Sequence, residues 1–149
     1  MVKKIKILYY FLRKGGLSGK EIMENYDVAH FNEQMRIRTK IFAINVYKVL
    51  NAIKLNDLSR IPAKQLLRSS SSVAANFRSA ARGRSEAEFY SKICIVVEEC
   101  DESVFWIEFL SDAGILTKNQ TDIPHKEADE LLRIFSTIKK KLRNKRDIK

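Results

Sequence analysis

Residues 85–114 read SEAEFYSKICIVVEECDESVFWIEFLSDAG, and this stretch decides the fold. Ser85 stands three residues before Glu88. A serine oxygen capping the Glu88 amide, with the glutamate reaching back, is the capping box that opens a helix. Phe89, Ile93, Val96, Cys100, Val104 and Ile107 then recur at spacings of 3 and 4, which draws one apolar line along that helix. Gly114 marks the stop, because glycine takes the left-handed conformation of a helix C-terminus without a side-chain clash. A long helix with one narrow apolar line packs lengthwise against other helices.

Upstream, Pro62 suits the first turn of a second such helix. Leu66, Ser70, Val73, Phe77 and Ala80 follow at spacings of 4, 3, 4 and 3, and Gly83 ends it. Before that, a helix runs from about Arg36 to Asn56 with two apolar faces. One carries Ile37, Ile41, Ile44 and Leu55, the other Phe42, Val46, Val49, Leu50 and Ile53. A helix with two apolar faces is covered from two directions. Downstream, a fourth helix begins at Pro124 and carries Leu131, Leu132, Phe135, Ile138 and Leu142 on one stripe. Glycine (5) and proline (2) are scarce, so few turns are coded. The reading is all-α: an antiparallel up-down-up-down four-helix bundle over residues 35–144. A short N-terminal extension, residues 1–34, precedes it, with a Gly15-Gly16 break between short helices near 3–13 and 18–25. A basic tail, residues 145–149, follows it, and the whole basic end from Lys139 to Lys149 is expected to fray into solvent.

The chain has 149 residues, enough for one domain that buries roughly 70% of its unfolded surface. Its 28 Lys and Arg against 18 Asp and Glu leave a net charge of +10, which favours an anionic partner, nucleic acid first. Cys94 and Cys100 lie six residues apart on one helix, where they cannot reach each other, and read as small apolar residues in a reduced compartment. No apolar run approaches the ~18 residues of a membrane span. Ile7 to Leu12 imitates a signal-peptide core, but it is short and no small-residue cleavage site follows. A cytoplasmic protein with no membrane contact is expected.

Catalytic signatures are missing. The two histidines, His30 and His125, are far apart and outside the central helices, and no Cys/His set has zinc spacing. No Gly-rich phosphate loop, nucleophile elbow or H-E-x-x-H occurs. Glu98, Glu99, Asp101 and Glu102 suggest a carboxylate metal site, but bundle sites of that kind pair Glu-x-x-His motifs, and no histidine follows here. The expectation is no enzyme, no metal and no cofactor.

Charge, by contrast, is strongly sorted. Leu58 to Ser85 contains no acid, and Arg60, Lys64, Arg68, Arg78, Arg82 and Arg84 give it +6. Lys64, Arg68, Ser71, Ala75, Arg78 and Arg82 recur at helical spacing, a basic stripe with small residues at its centre along which a phosphate backbone can lie. The tail adds Lys139, Lys140, Lys141, Arg143, Lys145 and Arg146. These cations are the candidate nucleic-acid-binding residues. Glu86 to Asp112 is the reverse, with eight acids and one base, Lys92. Part of the second helix's charge is therefore expected to face the third.

A further stripe on the third helix, Ile95, Glu99, Glu102, Trp106 and Phe109, lies roughly opposite the core seam. Exposed aromatics at helical spacing mark an interface. Carboxylates among them want cations when buried, and arginines of a neighbouring subunit's second helix suit. This stripe is the candidate surface for self-association, and packing of residues 1–34 over it is the alternative. The run Ser69-Ser70-Ser71-Ser72 sits mid-helix and reads as close helix packing.

Leu67-Arg68-Ser69-Ser70-Ser71-Ser72-Val73-Ala74-Ala75-Asn76 resembles the second-helix signature of the bacterial four-helix-bundle proteins encoded by intervening sequences of 23S rRNA genes. The likeness continues through Ser85-x-x-Glu88-Phe89 and Glu99-x-x-Glu102-x-x-x-Trp106-Ile107-x-x-Leu110, and covers about Arg36 to Leu116. Ser79 departs from the acidic residue that members often carry there. The resemblance implies an up-down bundle assembled as a ring, typically a pentamer, without enzymatic activity. A related branch comprises accessory proteins of diversity-generating retroelements, which implies nucleic acid (RNA or DNA) and a reverse transcriptase as partners. The sequence thus leads to an oligomeric bundle that binds RNA or DNA, or alternatively to a protein-interaction scaffold.

Overall fold

Helix α1 spans Gly19–Asn51, α2 Arg60–Ala80, α3 Glu86–Asp112 and α4 Lys118–Asp147. The computed structural model describes the backbone of residues 19–147 and the side chains of Asp27 and of residues 29–147. The helix expected near 3–13 lies outside the described residues. Successive helices run antiparallel. Ser69 of α2 meets Ser103 of α3 and Gly83 approaches Phe89, while Glu86 of α3 pairs with Lys145 of α4 and Glu108 with His125. At one end of the bundle Val46, Leu66, Ile107 and Thr121 share a layer, so each helix supplies one side chain. Helices α1 and α3 each pack on α2 and α4, which places them on a diagonal.

The seams are those of the sequence, with instructive shifts. Leu66, Ser70, Val73, Phe77 and Ala80 of α2 are all buried. On α3 the buried line is Phe89, Ile93, Val96, Cys100, Ser103, Ile107 and Leu110. Ser103 replaces Val104 on that line because its hydroxyl, 3.0 Å from Ser69 Oγ and 2.7 Å from the Glu99 carbonyl, lets the two backbones close up. Phe77 and Phe135 stack across the centre with ring centroids 5.1 Å apart. On α1 the inward line is Met35, Thr39, Phe42, Val46 and Leu50. Thr39 enters the core by donating its hydroxyl to the Met35 carbonyl at 2.9 Å.

Helix boundaries differ from the sequence expectation at both ends. Helix α1 starts at Gly19 rather than near Arg36, so residues 34 and 35 are consecutive positions of one helix. It ends at Asn51, before a turn in which Asn56 and Ser59 exchange side-chain-to-amide hydrogen bonds of 2.8 and 2.9 Å. Helix α2 begins two residues before Pro62. Helix α4 starts at Lys118, not Pro124. The Gln120 side chain accepts from the Thr117 amide at 2.9 Å, the reach-back of a capping box, and Pro124 sits buried two turns later. Ser85 and Glu88 form the expected box, with Ser85 Oγ accepting from the Glu88 amide at 3.1 Å. At Gly114, φ is 68°, and the amides of Gly114 and Ile115 donate to the carbonyls of Ser111 and Leu110, the pair of bonds that closes a Schellman end.

Candidate nucleic-acid and assembly surfaces

Helix α2 holds its basic stripe as the periodicity demands. Lys64, Arg68, Ser71, Ala75, Arg78 and Arg82 are all exposed. Buried serines and alanines anchor the opposite face, so the stripe rests on a rigid helix. Among the described residues none of its four cations forms an ion pair. Arg68 still lies close enough to Glu99 of α3 to attract its carboxylate. The cation expected from a neighbouring subunit's second helix is thus partly supplied by the same chain.

The tail is more engaged than the sequence suggested. Its described part does not fray: residues 145–147 continue α4. Lys145 Nζ binds both oxygens of Glu86 at 2.8 and 3.0 Å, and the Arg146 guanidinium lies 4.7 Å above the Tyr90 ring. An antiparallel α3–α4 pair brings the acidic start of α3 to the basic end of α4, where the macrodipoles also favour these signs. Lys139 and Lys141 are half-buried, whereas Lys140 and Arg143 are exposed.

On α3, the stripe Ile95, Glu99, Glu102 and Trp106 is half-buried, and only Phe109 on it is exposed. This stripe is turned toward α2, and Trp106 Nε1 donates to Glu102 at 3.0 Å. Burial, reinforced by the like charge of Glu102, raises the Glu99 pKa, while Arg68 and a Ser72 hydrogen bond pull it down. The outermost line is Glu98, Asp101, Phe105, Glu108 and Asp112, all exposed. Phe105, absent from the sequence reading, is 53% exposed and packs edge-on against Trp106, with centroids 4.8 Å apart. Trp106 also meets Phe109 edge-on at 5.6 Å, so three aromatics form one cluster. The signal for Phe105 was present, since it is the one apolar residue on an otherwise acidic line.

Helix α1 leaves its second apolar face bare. Ile37 and Ile41 are each 50% exposed, and Ile44 and Tyr47 are exposed as well. A groove on the α4 side is bridged by Arg38, which holds Glu127 at 2.6 and 2.9 Å and Glu130 at 3.0 Å. Those bonds, Glu127 first, raise the Arg38 pKa further. A second groove on the α2 side, about 440 Å³, has Ser71, Ala74 and Ala75 along it and Arg36, Lys40 and Arg78 around it. Burial raises the Cys100 thiol pKa, which leaves it unreactive. Among the described residues no three His, Cys, Asp or Glu side chains converge as a metal site, and no helix is long and apolar enough to cross a membrane.

Fold and surface together define an all-α bundle whose charge is sorted between its helices. The chain belongs to the 23S rRNA-intervening sequence protein family, whose model matches residues 33–137. It is similar to a solved protein of unknown function from the S23 ribosomal protein family of Bacteroides thetaiotaomicron. The two share 25% identity over 73% of this chain and 97% of that one, with a TM-score of 0.67. No curated protein matches the chain.

Proposed function

We propose that this protein is a non-enzymatic, self-associating cytoplasmic bundle that binds RNA or another nucleic acid through its basic faces. The observation that carries the reading is the α2 stripe, exposed cations on a rigid helix with small residues between them and no acid within the segment. Phosphates meet no bulk and no repulsion there. Exposed Lys140 and Arg143 of α4 add cations on a separate helix, while Lys145 and Arg146 hold α4 to α3. The family likeness supports a ring of five subunits. The bare apolar residues on α1 and α3 favour a second reading, a scaffold whose partner is another protein, such as a retroelement reverse transcriptase.

Anisotropy titrations of a labelled generic RNA at rising salt test the first reading. Affinity should fall steeply with salt and depend little on sequence. Replacing Lys64, Arg68 and Arg82 by alanine together should flatten the log–log salt slope by about 2, roughly 0.7 per lost phosphate contact. An absence of binding at low salt, or binding indifferent to salt, contradicts it.

A further inference from the structure

Two apolar patches outside the core lie on diagonal helices, and their surroundings carry opposite charge. The α3 edge presents Phe105, 53% exposed on the acidic line of Glu98, Asp101, Glu108 and Asp112, and Phe109, 43% exposed on the neighbouring stripe. The α1–α2 groove presents Ile37 on its wall, with Ile41 one turn further along α1, and Lys40 and Arg78 at its rim. Arg36 is held by Glu33, but Lys40 and Arg78 form no ion pair among the described residues.

We propose that the α3 edge of one subunit, led by Phe105 and Phe109, seats in the α1–α2 groove of a second copy of this chain. The proposal rests on the self-association reading and gives it its two faces. Three arguments favour it. The floor of Ala74 and Ala75 leaves room, so aromatic side chains of a facing helix can enter a groove of about 440 Å³. Acids flanking the aromatics meet Lys40 and Arg78, which form no ion pair among the described residues. The symmetric alternatives fail on charge: an α3–α3 contact stacks acid on acid, and an α1–α1 contact stacks base on base. Because α1 and α3 are diagonal, one subunit uses both faces at once. The contact is therefore heterologous, and its repetition closes a ring if the rotation allows. Ser71, Ala75 and Arg78 then belong to assembly, which leaves Lys64 and Arg68 at one end of the α2 stripe and Arg82 at the other for a polyanion.

Two full-length variants test this by light scattering, with circular dichroism to confirm that each is folded. Phe105→Ser with Phe109→Ser removes the inserted edge, and Lys40→Glu with Arg78→Glu reverses the groove. Each should be monomeric where the wild type is assembled, with the dissociation constant raised by about two orders of magnitude. Mixed, they retain one intact edge and one intact groove between them, so they should form a 1:1 dimer and stop there. A wild type that assembles while both variants keep its mass overturns the assignment of faces but leaves self-association standing. Variants that are monomeric alone and stay monomeric when mixed overturn the heterologous contact. A wild type that is monomeric at every concentration overturns self-association itself.

Discussion

Helices α2 and α3 approach each other through small residues, while α1 and α4 stand apart over an open groove. At the first contact Ser69 and Ser103, both fully buried, share a hydrogen bond of 3.0 Å, and Ala80 is also fully buried. At the second, the charged fork of Arg38 reaches Glu127 and Glu130 beside exposed Ile37, Ile41 and Ile123. One seam is dry and short-range, the other half-solvated and electrostatic. Their difference separates what makes the fold from what the fold offers. The α2–α3 contact fixes the register of the bundle, and α1 is attached along one side with its other side bare.

Substitutions should report this asymmetry. The largest effect is expected at the dry seam, where Ser103→Leu inserts bulk between two closely packed backbones and removes the Ser103–Ser69 hydrogen bond, leaving Ser69 only its own bond to the Leu66 carbonyl. The loss in chemical denaturation should be about 2–3 kcal/mol, and high salt should leave it unchanged. A smaller effect is expected at the open seam. Arg38→Ala should cost about 1 kcal/mol, and the loss should shrink as salt rises, because the pair is part-exposed and screened. Equal salt sensitivity at both sites would erase the distinction. A loss of the same size but different origin is expected at the α3 terminus, where Gly114→Ala places a side chain at positive φ without meeting any neighbour. A loss of about 1 kcal/mol, read from the thermal midpoint, would then be backbone strain alone.

What was legible in the sequence follows the same division. Apolar spacing describes neighbours on one helix, and it located the α2 and α3 seams, the Ser85 box and the Gly114 stop, because each depends on residues within one or two turns. The α2 stripe was legible for the same reason. Contacts between helices depend on register and on axial rotation, neither of which a single helix encodes. Hence Ser103 rather than Val104 lies on the core line, and the outermost line of α3 passes through Phe105 rather than Trp106. The partners of Lys145 and Arg146, 59 and 56 positions away in the chain, emerge only once α3 and α4 are laid antiparallel. The Thr117–Gln120 box was readable, since it has the Thr-x-x-Gln pattern, but Pro124 offered a competing start signal. The upstream half of α1 carries little apolar periodicity.

Trp106, the single tryptophan, sits inside the aromatic cluster that the proposed contact covers, and its emission tests the account most directly. On serial dilution of the wild-type protein, the emission maximum should move to longer wavelength as the α3 edge leaves its groove and meets water. The midpoint should match the loss of assembled mass and shift to higher protein concentration in Lys40→Glu/Arg78→Glu. Emission that stays constant while the mass falls would show that the assembly is built on another face, and would contradict the account.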